Sequence, residues 1–309
     1  MNNEIYDLII IGSGPAGLSA AIYGKRAGLN LLVLEKQPMS GGQVLNTYEV
    51  DNYLGLPGIN GFDMGMQFRE HADKMGVAFA EAEVTAVIPE AGVKNVVTDA
   101  GIFKARTLIL ASGAEHARLG VPGEEELAGM GVSYCATCDG AFFKNRTVAV
   151  VGGGDVAVED AIFLARTCEK VYLIHRRDEL RAADVLQKAL FALPNVEVLW
   201  NHVVEKICGE DMTESLQIKN LKTEEARVLP VAGVFIAVGI VPQTQIYEGL
   251  VERNAGGYII AGEDCATSAP GIFVAGDCRT KNLRQIITAV ADGANAATGA
   301  WSYLVKEQG

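Results

Sequence analysis

The chain has 309 residues, enough for about two domains of ordinary size. Hydrophobic residues make up 49% of it and charged residues 21%, a composition typical of folded and not of disordered proteins. Its net charge of −12 excludes a global basic footprint for nucleic acid. No apolar run approaches the roughly 18 residues of a membrane-spanning helix. The first residues carry no secretory signal, so we expect a cytoplasmic protein with neither nucleic acid nor membrane as a partner.

The first elements of the chain form a dinucleotide-binding pattern. An apolar strand predicted over residues 6–11 leads into a glycine turn and an alanine-rich helix to about Ala27, and a second strand over 31–34 ends at Glu35. The turn reads Gly12-Ser13-Gly14-Pro15-Ala16-Gly17. Its glycines permit close backbone approach, the helix start offers N–H groups to a pyrophosphate, and Glu35 would accept hydrogen bonds from an adenosine ribose. The pattern predicts a site for FAD or NAD; the alternative is a glycine turn without a nucleotide.

The chain has six cysteines, too few for a disulfide scaffold, and only Cys135 and Cys138 lie close together. In a reducing compartment such a pair is typical of catalysis or metal binding. A Cys-x-x-Cys pair at a helix start allows an internal disulfide and lowers the pKa of one thiol. The neighbouring Asp139 could pass a proton to or from the thiolate; its alternative role is to cap the following helix.

Zinc binding is the main competing interpretation of the cysteine pair. A zinc site needs two further ligands at ordered spacing. The chain has no second Cys-x-x-Cys, and its histidines are scattered, at His71, His116, His175 and His202. We therefore expect no metal site. The remaining cysteines are interpreted as small buried residues: Cys168, Cys208, Cys265 and Cys278.

A second glycine turn follows the cysteines, between a strand predicted over 147–151 and a helix predicted from Asp155 to about Arg166. It reads Gly152-Gly153-Gly154-Asp155-Val156-Ala157, and the next strand is predicted over 171–174. Glu35 lies 23 residues after Gly12, and the same offset from Gly152 falls on His175. The residues that follow include Arg176, Arg177 and Arg181. Guanidinium groups pair with a 2′-phosphate that a carboxylate would repel, so this turn predicts NADP(H). The alternative is a solvated helix start.

Three further strands and a helix complete the predicted organisation. The strands fall at 107–113, 233–239 and 271–277, and the helix at 284–297. Asp277, at a strand end, is placed to hold the polyol chain of a flavin, or else to cap the helix. We predict an α/β fold of two Rossmann-like, three-layer ββα domains. Residues 1–115 and 244–309 form one domain, and residues 116–243 are inserted in it, with candidate hinges at 113–118 and 241–245.

Taken together and in chain order, the motifs resemble those of the bacterial-type, low-molecular-weight thioredoxin reductases. They read GSGPAG, GGQ, CATCDG, GGGDVAVED, HRRDELR, AGD and RQ, and the resemblance spans nearly the whole chain. It implies a homodimeric flavoprotein that passes electrons from NADPH through FAD and an active-site disulfide to thioredoxin or a thioredoxin-like protein. It also implies that Cys138 faces the flavin and that Cys135 attacks the partner disulfide. Since the cysteine pair and the second turn share the inserted domain and must serve one flavin, we expect that domain to rotate.

The resemblance also implies the cofactor residues. Those for FAD, in the first and last segments of the chain, are Gly12, Ser13, Gly14, Pro15, Ala16, Glu35, Lys36, Gly42, Gln43, Asn52, Gly113, Gly276, Asp277, Arg284 and Gln285. Those for NADPH, in the inserted segment, are Gly152, Gly154, Asp155, Val156, His175, Arg176, Arg177 and Arg181. The family often has Asn in place of Asp155, and a carboxylate near a pyrophosphate is mildly unfavourable. The segment 278–283 has no interpretation from sequence.

Three other functions stay open at this point. They are a ferredoxin-dependent thioredoxin reductase, a flavoprotein dithiol oxidase of the same fold, and a nucleotide-binding redox sensor without turnover. An oxidase needs no 2′-phosphate site, so the arginine cluster argues against it, and relatives that use ferredoxin lose that cluster. Steady NADPH oxidation with thioredoxin would exclude the sensor.

Overall fold

A computed structural model describes residues 4–47, 50–90 and 92–308. The chain divides into two compact units. Unit 1 combines Met1–Glu115 with Val241–Gly309, and unit 2 is His116–Ile240. The first three residues, on which the absence of a secretory signal partly rests, lie outside the described residues. Within the described ranges, no helix combines the length and apolarity needed to span a membrane.

The first segment of unit 1 alternates strands and helices. Its elements are β1 (Ile5–Ile11), α1 (Pro15–Arg26), β2 (Leu31–Glu35), a 3₁₀ helix (Gly42–Asn46), α2 (Gly61–Lys74), β3 (Ala78–Glu81), β4 (Val84–Glu90), β5 (Val93–Thr98), β6 (Gly101–Leu110) and β7 (Ala114–His116). Pro15 begins α1 because its fixed φ suits the first helical position and its missing N–H is not needed there. The helix ends before Gly28, which has a φ of +78°.

The chain then passes through unit 2 and returns. Unit 2 contains β8 (Val132–Ser133), α3 (Ala136–Asp139), a 3₁₀ helix (Gly140–Phe143), β9 (Thr147–Gly152), α4 (Asp155–Leu164), β10 (Lys170–His175), α5 (Asp184–Phe191), β11 (Val196–Trp200), β12 (His202–Cys208), β13 (Ser215–Asn220), β14 (Ala226–Pro230) and β15 (Gly233–Ala237). The return to unit 1 runs through β16 (Ile240–Pro242), a 3₁₀ helix (Gln245–Tyr247), β17 (Ile272–Val274) and α6 (Ile286–Gln308).

Unit 1 is built on one branched sheet. Its parallel part has the order β3-β2-β1-β6, and β6 then pairs with two strands. The last residues of β6 pair in parallel with β17, while its first residues pair antiparallel with β5, which leads to β4. Side chains alternate along β1, so Leu8 and Ile10 join a core with α1 and α6, whereas Ile9 and Ile11 join a second core with Tyr247. This burial on both faces gives three layers.

Unit 2 repeats this arrangement. Its parallel sheet has the order β11-β10-β9-β15-β8, and a separate antiparallel sheet has the order β12-β13-β14. Val148 and Val150 of β9 pack with α4, and Ala149 and Val151 pack with the antiparallel sheet. The predicted α/β class with two Rossmann-like ββα units is therefore confirmed.

Several predicted element bounds were wrong. The strand predicted over 107–113 is the end of β6, which starts at Gly101 because its first half pairs with β5. The helix predicted over 284–297 runs from Ile286 to Gln308, since apolar residues of its later turns, as far as Leu304, pack into the core that contains α1. Gly293 of α6 has no room for a Cβ, which would overlap the carbonyl oxygen of Ala16.

Candidate functional site

The first glycine turn connects β1 to α1 at the carboxyl edge of the unit 1 sheet. A Cβ on Gly12, whose φ is +105°, would overlap the carbonyl oxygen of Ala111, and a Cβ on Gly17 would overlap that of Gly12. Glycine is therefore required at both positions because backbone atoms of the protein itself lie too close for a side chain. Gly14 differs, because a Cβ there would meet nothing within 4 Å apart from Gly14's own chain neighbours. The backbone at Gly14 is thus open to a ligand, beside a helix N-terminus.

Glu35 ends β2 and closes one side of this turn. Its Oε2 accepts hydrogen bonds from the backbone N–H and the hydroxyl of Ser13, each at 2.8 Å, and its Oε1 accepts one from the Gln37 N–H at 3.0 Å. Ser13 is fully buried. The carboxylate predicted to accept a ribose is therefore fixed on the turn itself, and Ser13 supports it. Lys36, the next residue, is exposed.

The second segment of the predicted FAD site approaches the same turn. A Cβ on Gly42 would lie 3.4 Å from the Cα of Gly14, so the Gly41–Gly42 backbone lies beside the open glycine. Gln43 is exposed. Asn52 donates from Nδ2 to Oε1 of Gln285 at 3.0 Å, which joins two predicted site residues that are far apart in sequence.

Asp277 lies at the same edge of the sheet. β1, β6 and β17 are parallel neighbours, with Leu110 opposite both Ile11 and Val274, so the residues after all three strands lie together. Oδ1 of Asp277 is buried and, among the described residues, has no hydrogen-bond partner. Burial raises the pKa of Asp277, while Lys281 and Arg284 act to lower it. Arg284 itself lies over the ring of Tyr258, 4.1 Å from its centre.

These features fit a flavin nucleotide. The open backbone at Gly14 suits a phosphate, Glu35 suits a ribose hydroxyl, and the unpartnered Oδ1 of Asp277 suits a polyol hydroxyl. Gly113, after β6, has a φ of +70° and accepts a hydrogen bond from the Gln243 N–H at 3.0 Å.

The second glycine turn connects β9 to α4 in unit 2. A Cβ on Gly152 would overlap the carbonyl oxygen of Ala237, and one on Gly153 would overlap the ring of His175. Gly154, like Gly14, has open space at its Cβ position. His175 ends β10 and is buried beneath the turn, with Nε2 2.9 Å from the Glu179 carbonyl oxygen. Burial lowers the pKa of His175. Its ring supports the turn.

The arginines are brought to this turn by the loop that follows β10. Arg176, Arg177 and Arg181 are exposed. The Arg181 N–H donates to the Gly153 carbonyl oxygen at 2.7 Å, and the Ala183 N–H donates to Oδ1 of Asp155 at 2.8 Å. Asp155 begins α4, so its carboxylate holds the arginine loop against the helix start. Val156 beside it is 56% exposed.

Cys135 and Cys138 form a disulfide in unit 2. Cys135 is the N-cap of the short helix α3, which places Cys138 in its first turn. Both residues are partly exposed. This arrangement suits an exchangeable disulfide, since a helix start stabilises a thiolate once the bond opens.

Asp139 ends α3. Its Oδ2 accepts a hydrogen bond from the Ser133 hydroxyl at 2.6 Å, and its Oδ1 is buried without a partner in the described part of the chain. Burial raises the pKa of Asp139, and the Ser133 hydrogen bond acts in the opposite direction. The alternative role as a helix cap is wrong, because its side chain makes no capping hydrogen bond to the following 3₁₀ helix.

The zinc alternative finds no support within the described ranges, where no group of three metal-ligating side chains occurs. Cys168, Cys265 and Cys278 are buried as expected. Cys208 is only half-buried, so that expectation was wrong; it ends β12, an edge strand of the antiparallel sheet.

Sequence reasoning missed a set of buried charges beside Asp277. Asp292 of α6 pairs with Arg279 and Lys281, and each of these side chains is at most 7% exposed. The available signal was Asp292 within the apolar first half of α6, together with Arg279 and Lys281 in the loop before it.

Comparison with known proteins agrees with this geometry. Residues 6–293 match the family described as pyridine nucleotide-disulphide oxidoreductase. A thioredoxin reductase of Listeria innocua is 46% identical over 302 residues, which cover 97% of this chain and 94% of the relative. The chain belongs to the thioredoxin reductases of this family. Its members use flavin and nicotinamide cofactors and are oxidoreductases.

Solved structures give the same assignment. The thioredoxin reductase from Streptococcus pyogenes superposes with a TM-score of 0.93 at 43% identity and covers 99% of this chain and 100% of its own. A ferredoxin-flavin thioredoxin reductase from Clostridium acetobutylicum is less similar, with a TM-score of 0.54 at 31% identity and coverage of 97% and 98%.

Proposed function

We propose that this chain is a thioredoxin-disulfide reductase that takes electrons from NADPH through FAD and the Cys135–Cys138 disulfide. The observation that carries the proposal is a partly exposed disulfide at a helix start, in a chain with two differently charged nucleotide turns. The high identity to thioredoxin reductases over nearly the full length supports thioredoxin or a thioredoxin-like protein as the substrate.

Unit 1 residues would hold FAD. The backbone at Gly14 and Gly42 would face the pyrophosphate, Glu35 the adenosine ribose, and Asp277 the ribityl hydroxyls. The flavin supplies hydride acceptance and electron transfer to a disulfide, and the protein supplies position and electrostatics. Arg284 stacks on Tyr258, and Gln285 accepts a hydrogen bond from Asn52, so each of these two side chains has a partner within unit 1.

Unit 2 residues would hold NADPH. Gly154 offers open backbone at the start of α4, and the loop bearing Arg176, Arg177 and Arg181 lies beside it. Guanidinium groups pair with a 2′-phosphate in bidentate fashion, which favours NADPH over NADH.

The reduced cysteines would act by thiol–disulfide exchange. The Cys135 thiolate attacks one sulfur of the partner disulfide, which forms a mixed disulfide and releases a partner thiolate. The Cys138 thiolate then attacks the Cys135 sulfur, restores the internal disulfide and releases the second partner thiolate. Asp139, which follows Cys138 in the chain and has a pKa raised by burial, would exchange a proton with these sulfurs.

The proposal includes a rotation of unit 2. The disulfide and the NADPH turn are both in unit 2, whereas the FAD residues are in unit 1. Serving one flavin in turn requires two orientations of the units. A cross-link that fixes one orientation should permit one half-reaction and block the other. Normal rates of both half-reactions in the cross-linked protein would contradict rotation.

The proposal also includes a cellular location and an oligomeric state. We place the protein in the cytoplasm as a homodimer. Free cysteines at positions 168, 208, 265 and 278 suit a reducing compartment. Sedimentation of the purified protein tests the dimer directly.

An anaerobic titration tests the electron donor. NADPH should bleach the flavin absorbance band at lower concentration than NADH, and thioredoxin with a chromogenic disulfide should then sustain NADPH oxidation. Bleaching by reduced ferredoxin and not by NADPH would favour the ferredoxin-dependent alternative. In a separate aerobic assay, rapid flavin reduction by dithiols with oxygen consumption would favour the oxidase.

A further inference from the structure

Two side chains from the segment between Asp277 and Arg284 form a buried ion cluster with a carboxylate of α6. Arg279 and Lys281 both reach Asp292 on α6, and their side chains are only 7% exposed. Asp292 is 6% exposed. Charges so deeply buried persist only when they are paired and hydrogen-bonded, so the three groups depend on one another.

Asp292 links this cluster to the turn that follows β17. Its Oδ2 accepts hydrogen bonds from Nε of Arg279 at 2.9 Å, Nζ of Lys281 at 2.7 Å and the N–H of Gly276 at 3.0 Å. Its Oδ1 accepts from Nη2 of Arg279 at 2.6 Å. The Gly276 bond places the carboxylate directly against the backbone of the residue before Asp277.

The cluster also affects the charge of Asp277. Burial is the largest influence and raises the pKa of Asp277, while Lys281 and Arg284 lower it and Asp292 raises it. Cys278, the next residue in the chain, has a buried thiol whose pKa is raised by burial, so it carries no charge at neutral pH. With two cations for one anion, the cluster leaves a net positive charge beside Asp277.

We propose that Lys281, held by Asp292 within this buried ion cluster, is a positioning residue for flavin binding that favours the charged, acceptor form of Asp277. The inference rests on the proposed function, in which Asp277 receives the ribityl hydroxyls. Oδ1 of Asp277, which has no hydrogen-bond partner among the described residues, supplies the acceptor, and the hydrogen bond from the Gly276 N–H to Asp292 holds the backbone just before it.

Lys281→Met tests this inference, because Arg279 still pairs with Asp292 in that variant. FAD affinity of the flavin-free protein is measured by quenching of FAD fluorescence between pH 5 and pH 8. We expect affinity about 10-fold weaker at neutral pH, and loss of affinity on acidification should begin at higher pH. Lys281→Arg, which keeps the positive charge, should retain both the FAD affinity and the pH dependence of the unaltered protein. Lys170→Met, which removes an ion-paired lysine in unit 2, is the matched control and should change neither.

A double-mutant cycle separates positioning from a general structural effect. In the Asp277→Asn background, Lys281→Met should have little further effect on FAD affinity and none on its pH dependence. An equal loss in both backgrounds, or an unchanged pH profile in Lys281→Met, would overturn the inference. Should Lys281→Met not fold by circular dichroism, Lys281→Gln makes the same charge comparison.

The same data judge the proposed FAD site separately. If Asp277→Asn binds FAD as tightly as the unaltered protein, the assignment of Asp277 fails and the inference fails with it. If Asp277→Asn weakens binding but Lys281→Met does not, the FAD site stands and only the role of Lys281 is wrong.

Discussion

The two glycine turns share one backbone design and differ in what closes them. In each turn, the first position must be glycine because a carbonyl oxygen of a neighbouring segment leaves no room for a Cβ: that of Ala111 at Gly12 and that of Ala237 at Gly152. A later glycine, Gly14 or Gly154, has open space at its Cβ position. The first turn is closed by Glu35, which is bonded to Ser13. The second is closed by the loop bearing the arginines. Under the proposed function, the shared backbone would accept a nucleotide, and the residues at and after the end of the second strand would determine which nucleotide is favoured.

The largest effect should come from removing the disulfide that unit 2 has and unit 1 lacks. Cys135→Ser deletes the proposed attacking thiolate, so reduction of thioredoxin should fall by at least about 10³-fold. Flavin reduction by NADPH, followed by stopped flow, should keep its rate. Cys208→Ser, which changes a half-buried free cysteine, is the control. Retained thioredoxin reduction in Cys135→Ser would contradict the exchange mechanism.

Removing the arginine charges beside the second glycine turn should reduce the use of NADPH but not of NADH. In a variant with Arg176, Arg177 and Arg181 changed to Ala, kcat/KM for NADPH should fall by about 100-fold because charge-assisted hydrogen bonds to the 2′-phosphate are lost. The value for NADH should stay nearly constant. Arg227→Ala removes an exposed arginine of β14 and serves as the control. Equal losses for both nucleotides would refute the 2′-phosphate role.

The shared backbone design can be tested within one turn. Gly12→Ala should lower the free energy of unfolding by more than about 2 kcal/mol, because its φ is +105° and a Cβ overlaps Ala111. Gly14→Ala should cost less than about 1 kcal/mol while weakening FAD binding, since its Cβ would occupy the open approach. Thermal melting and FAD titration of both variants give the comparison, which would fail if Gly14→Ala proved the less stable.

The smallest effect concerns Asp155. Asp155→Ala removes the acceptor that holds Ala183, so KM for NADPH should rise about 5-fold with little change in kcat. Asp155→Asn keeps an acceptor oxygen and removes the charge, so its KM should equal or fall below that of the unaltered protein. The NADPH-to-NADH preference should decrease only in the Ala variant. A rise in KM for Asn as large as for Ala would show that charge matters and the loop contact does not.

Sequence reasoning worked where a local pattern carries the structure. The strand-turn-helix-strand pattern extends over only a few tens of residues in each unit, and the predicted strands that end at Glu35 and His175 are confirmed. It failed where a pairing partner, and not the local pattern, decides the outcome. The first half of β6 is a strand because β5 pairs with it, and Asp292 is satisfied by cations 11 and 13 residues away. Neither partnership leaves a periodic signal in the sequence.

The split of unit 1 has a consequence for biosynthesis. β6 is translated early, but the strand that covers its last residues, β17, leaves the ribosome more than half a chain later, and α6 reaches α1 only at the very end. The nascent amino-terminal segment therefore presents an uncovered apolar sheet edge and helix face throughout synthesis of unit 2, whose own sheets lie within residues 132–237. A chain that terminates near residue 240 would contain every strand of the unit 2 sheets but would lack β17 and α6. Its apolar β6 edge and α1 face would stay exposed and prone to aggregation.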